Sequence, residues 1–133
     1  MKNRKITLTI ISLLLTILLY SCASYTPEQD FISAPPFGLR IQEQGNFYLI
    51  SPEIKSSGSG NTDGRGVIFY PGGLVKPASY IPFGSLLALE GASVYIVKMP
   101  FDLAVLAPSR ADKIRPAFPE VTEWIIGGHS LGE

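Results

Sequence analysis

The sequence predicts an α/β chain on a mostly parallel sheet, and three observations carry that prediction. Val67-Ile68-Phe69-Tyr70, Ser93-Val94-Tyr95-Ile96-Val97 and the stretch from Val121 to Ile126 are short runs rich in β-branched and aromatic residues. Such continuous apolar runs mark strands buried on both faces. Segments with helical signals lie between them, so strand and helix alternate as right-handed crossovers require. The third run leads into Gly128-His129-Ser130-Leu131-Gly132, the Gly-x-Ser-x-Gly spacing that sets a serine on a sharp turn between a strand and a helix.

From the N-terminus, Lys2, Arg4 and Lys5 precede an uncharged apolar run from Ile6 to Tyr20, 15 residues long. A spanning helix needs about 20 apolar residues, so the run reads as the apolar region of a secretory signal. Leu19-Tyr20-Ser21-Cys22 follows at once and resembles the lipobox of bacterial lipoproteins. The resemblance implies a signal peptide over 1–21 and a lipidated Cys22 as the first mature residue. Cys22 is the only cysteine, which excludes an intramolecular disulfide. Acyl chains contribute about 0.8 kcal/mol per buried CH₂, enough for two or three of them to hold the chain on a membrane. The expected location is the bacterial cell envelope, with the outer membrane favoured by Ala23 after the cysteine.

Residues 22–36 mix Ser, Thr, acidic residues and prolines at 27, 35 and 36, and read as a tether. Residues 37–133 form the folded part. Its first two extended runs, Gly38 to Ile41 and Phe47 to Ile50, flank Gln42-Glu43-Gln44-Gly45-Asn46 and predict a hairpin. A polar Ser/Gly loop then runs from Ser56 to Gly64. It contains Gly58-x-Gly60 but lacks the strand-into-helix context of a dinucleotide site. The Val67 strand ends in Pro71-Gly72-Gly73. Pro77 to Glu90 predicts a helix that becomes regular near Ser79, because Pro82 is tolerated only in a first turn, and Gly91 stands where a C-cap belongs. Ser109 is the candidate N-cap of a short helix that Pro116 ends or kinks.

Charge sharpens the picture of partners. Of 11 basic residues three leave with the signal, so eight face 11 acidic ones and the mature chain carries −3. No basic cluster remains, which argues against nucleic acid. No metal or cofactor is expected.

From about Val67 to Gly132 the chain resembles an α/β-hydrolase of the bacterial subgroup related to dienelactone hydrolases and small esterases. The residues that carry the resemblance are Ile68-Phe69-Tyr70-Pro71-Gly72-Gly73-Leu74-Val75, Val97-Lys98-Met99-Pro100 and Ile126-Gly127-Gly128-His129-Ser130-Leu131-Gly132. It implies Ser130 as nucleophile, with the backbone amides of Gly73 and Leu131 as the oxyanion hole and Leu74 next in line to Gly73. It assigns the acid and the base to segments beyond Glu133, so the sheet is expected to stop just after the nucleophile elbow. His129, the only histidine, precedes the serine and should project away from its hydroxyl. Asp102 follows the wrong strand for the family's acid and reads as a surface or capping residue; Lys98 reads as a solvated or paired charge, and Tyr95 and Trp124 as core aromatics.

The resulting expectation is a membrane-anchored serine hydrolase acting on a small acyl ester through Ser130. Two other readings stay open: a membrane-anchored binding protein without catalysis, and a truncated remnant without function.

Overall fold

A computed structural model describes residues 7, 9–16, 38–53 and 63–132. Cys22, the tether and most of the Ser56 to Gly64 loop lie outside these residues. Residues 9–16 are helical, and among the described residues no helix is long and apolar enough to cross a membrane.

Five strands form one mixed sheet in the order β1-β2-β4-β3-β5. They are β1 (Leu39–Glu43), β2 (Phe47–Pro52), β3 (Arg65–Tyr70), β4 (Ser93–Val97) and β5 (Glu123–Gly128). The hairpin forms as the Gly45-Asn46 turn predicts, with Ile41 opposite Ile50. It then adds antiparallel to β4, with Phe47 opposite Val97. The strands β4, β3 and β5 are parallel, and the last β3–β5 pair is Tyr70 with Gly128. Their carboxyl ends therefore share one edge, where ligands of open α/β sheets bind.

Each face of the sheet carries its own core. Ile50, Val67, Val94 and Ile96 point to one face and are covered by Ile81 and Ala88 of helix α1 (Ile81–Leu89). Ile68, Tyr70, Tyr95 and Val97 point to the other, against Ala111 and Ile114 of helix α2 (Arg110–Ile114). The expected helix after Pro77 starts with a 3₁₀ turn over Pro77–Tyr80 and becomes α-helical at Ile81, two residues later than the Pro82 argument suggests. Gly91 follows the helix at φ 97°, the left-handed geometry its place requires. Ser109 is the N-cap residue of α2, though its side chain makes no capping bond; the Tyr70 hydroxyl instead accepts from the Ala111 amide and donates to the Pro108 carbonyl, both at 2.8 Å.

Tyr95 is 1% exposed, and its ring lies 4.7 Å from Phe118 and 5.2 Å from Trp124. Burial pushes its hydroxyl pKa well above the usual tyrosine value. Lys98 is paired, as a charge at a strand end should be: its Nζ lies 2.5 Å from Glu43 Oε1 and 2.9 Å from the Gln44 carbonyl, fastening the hairpin turn to β4. That ammonium holds the Glu43 carboxyl below the ordinary glutamate value. β5 is an outer strand of the described sheet, and Ile125 and Ile126 are 46% and 53% exposed.

Candidate active site

Ser130 stands where β5 ends. The His129 amide donates to the Tyr70 carbonyl at 3.1 Å, carrying the β3–β5 ladder one step past the strand. The chain then turns sharply, and Ser130 has φ 55°, a left-handed conformation that a non-glycine residue adopts at a cost. The Gly132 amide closes the turn on the His129 carbonyl at 3.0 Å. A Cβ on Gly132 would come within 2.7 Å of the Pro71 carbonyl oxygen and 2.8 Å of the Tyr70 carbonyl carbon. No real side chain fits there, so the second glycine of Gly-x-Ser-x-Gly lets the turn pack against the end of β3. The Ser130 residue is exposed at the edge where the parallel strands end.

The exit of β3 supplies the other wall. The Val75 amide donates to the Gly72 carbonyl at 3.2 Å and closes a four-residue turn with Gly73 and Leu74 at its centre. Leu131 packs directly over Gly73, since a Cβ built on that glycine would strike the Leu131 side chain. The two residues expected to share an oxyanion are thus neighbours. Leu74 cannot stand in for Gly73, because its amide donates to the Asp102 carbonyl at 2.9 Å. The structure thus brings Gly73 and Leu131 together at the strand end where Ser130 is exposed.

The His129 side chain reaches the exit of β3. Its Nδ1 lies 2.8 Å from the Tyr80 hydroxyl, which also accepts from the Gly72 amide at 3.0 Å. Asp102 is not the surface residue its sequence position suggests: it is 9% exposed, and its Oδ2 lies 2.7 Å from Lys76 Nζ. Among the described residues no three His, Cys, Asp or Glu side chains gather as a metal site would need.

Tyr80, Lys76 and Asp102 are the site residues that sequence reasoning missed. Tyr80 had a signal, since an aromatic with a polar tip at the start of a helix facing a glycine turn usually bonds something. The Lys76–Asp102 pair spans 26 positions and depends on two adjacent strand exits, which no local pattern encodes.

Residues 66–133, from β3 through the Ser130 turn, match the alpha/beta hydrolase family. That is just over half of the chain, and the chain belongs to this family. Neither curated proteins nor solved structures yield a match.

Proposed function

We propose that the protein is a serine hydrolase of esterase type, with Ser130 as its nucleophile. The observation that carries the reading is the left-handed Ser130 at the end of a parallel strand, followed by Leu131 whose side chain packs on Gly73. Ser130 Oγ attacks the carbonyl carbon of a small acyl ester, and the carbonyl oxygen takes up the electron pair as the C–O π bond breaks. The Gly73 and Leu131 amides hold that oxyanion. Collapse expels the alcohol, and water then releases the acid from the acyl-serine.

A serine needs a base to accept its proton, and His129 is committed to Tyr80. We therefore assign the base and its orienting acid to residues outside the described ones. We further assign a lipid anchor to Cys22, which puts the enzyme on a membrane of the cell envelope.

Hydrolysis of a short-chain p-nitrophenyl ester tests the reading. The protein purified from its host should turn the ester over, and Ser130→Ala should lower kcat by about 10⁴ or more. Equal turnover by Ser130→Ala and wild type would refute the assignment, and a wild type no faster than buffer would leave a binding role as the better reading.

A further inference from the structure

We propose that the Lys76–Asp102 ion pair is a positioning clamp for the turn that presents the Gly73 amide. The inference deepens the hydrolase reading and rests on it for the role of Gly73.

The peptide joining Gly72 and Gly73 is planar and trans, so the Gly73 N–H points opposite to the Gly72 C=O. The Gly72 C=O is held by the Val75 amide at 3.2 Å. Whatever keeps this turn closed therefore sets the direction of the Gly73 N–H. The turn is not stable by composition: Leu74 occupies its third position at φ 59°, where glycine or asparagine is favoured.

Leu74 within the turn and Lys76 just after it are both fastened to Asp102. The Leu74 amide donates to the Asp102 main-chain carbonyl at 2.9 Å, and Lys76 Nζ meets Asp102 Oδ2 at 2.7 Å. Asp102 itself is buried at φ 56°, directly after Phe101 at φ 53°. Three strained non-glycine residues on two strand exits thus converge on one ion pair. Strained backbone persists only where its surroundings over-determine it. A carboxylate this buried also requires a partner, and the Lys76 ammonium supplies one from the residue after the turn. The pair joins the exits of β3 and β4 at the edge where Ser130 stands, so its loss should reach the oxyanion donor without disturbing either core.

Lys76→Met, Asp102→Asn and the charge-preserving Lys76→Arg, made in the full-length protein, test the proposal through two readouts. In Lys76→Met and Asp102→Asn, hydrogen exchange of the segment 72–76 should accelerate about tenfold. Ester hydrolysis should lose about tenfold in kcat with little change in KM, because an oxyanion donor acts on the transition state. Lys76→Arg should restore both. Unchanged exchange would overturn the clamp. Faster exchange with unchanged kcat would overturn its role in positioning the donor. If the wild type shows no Ser130-dependent turnover, the hydrolase reading fails, and exchange still decides the clamp.

Discussion

The Tyr80 hydroxyl and His129 Nδ1 lie 2.8 Å apart, and through this contact α1's leading turn reaches both walls of the site at once. The same hydroxyl accepts the Gly72 amide, so one oxygen joins the exit of β3 to the turn that carries Ser130. His129 is thereby an anchor of the turn.

Removing that oxygen should loosen both walls. Tyr80→Phe deletes two hydrogen bonds and leaves the Gly72 amide without its acceptor. A net hydrogen bond is worth about 1 kcal/mol and an orphaned buried donor about 1–3 kcal/mol, so a loss of about 1–3 kcal/mol is expected. Urea unfolding measures it, and ester hydrolysis should fall in kcat. A variant with unchanged stability and rate would show that the bridge does not form in solution.

The two glycines that pack the walls together should differ in tolerance. Gly132→Ala drives a methyl into the main-chain carbonyls of Tyr70 and Pro71, which cannot move without shifting β3. Overpacking of this kind costs about 1–3 kcal/mol. Gly73→Ala first meets the Leu131 side chain, which can rotate away, and its cost should stay under about 1.5 kcal/mol. Thermal unfolding of the two variants side by side checks the order, and a more severe Gly73→Ala would contradict the packing described.

Much of this was legible in sequence because local chemistry and global fold agree. The β-branched runs at Val67 and Ser93, the turn pair Gly45-Asn46 and the glycine after Leu89 each demand one local structure, and each has it. Gly-x-Ser-x-Gly announced its turn because its last glycine answers a steric demand. What stayed hidden is non-local or strained. No propensity puts Leu74, Phe101 and Asp102 at positive φ; tertiary contacts impose it. Nor could periodicity say that the hairpin would add antiparallel to β4, since edge pairing depends on which faces remain to be covered.

Stability should fall on the alkaline side through Tyr95. Burial raises its folded pKa above the unfolded value of about 10, so the unfolded chain loses the phenolic proton first. The contribution is complete below that value and is lost as pH rises through and above it. Urea midpoints measured from pH 8 upward should decline beyond about pH 10. Tyr95→Phe should remove part of that decline, and an identical decline in the variant would assign it elsewhere.

The acid side has its own group. Lys98 lowers the Glu43 pKa, so this pair stabilises above the ordinary glutamate value and its contribution vanishes as pH falls through the lowered one. Glu43 is exposed, so the effect on stability should be small and salt-sensitive, below about 1 kcal/mol. NMR titration of the carboxyl should show its pKa rising in Lys98→Met. No change there would mean that the ion pair is absent in solution.

The assigned anchor predicts a mass and a location. The mature chain in a bacterial host should begin at an acylated Cys22 and partition into detergent. Cys22→Ala should lose the acyl mass and retain the signal. Unchanged processing and membrane retention in that variant would remove the lipid anchor from the account.

The central claim is that Ser130 is an activated nucleophile, and a fluorophosphonate probe tests it most directly. Phosphorus captures only a serine whose proton is taken by a base, with displacement of fluoride, and the adduct can be located by peptide mass spectrometry. The protein isolated from its host should carry one adduct, on the peptide containing Ser130, and Ser130→Ala should carry none. A folded protein that takes no adduct, or takes it at another serine, would contradict the account.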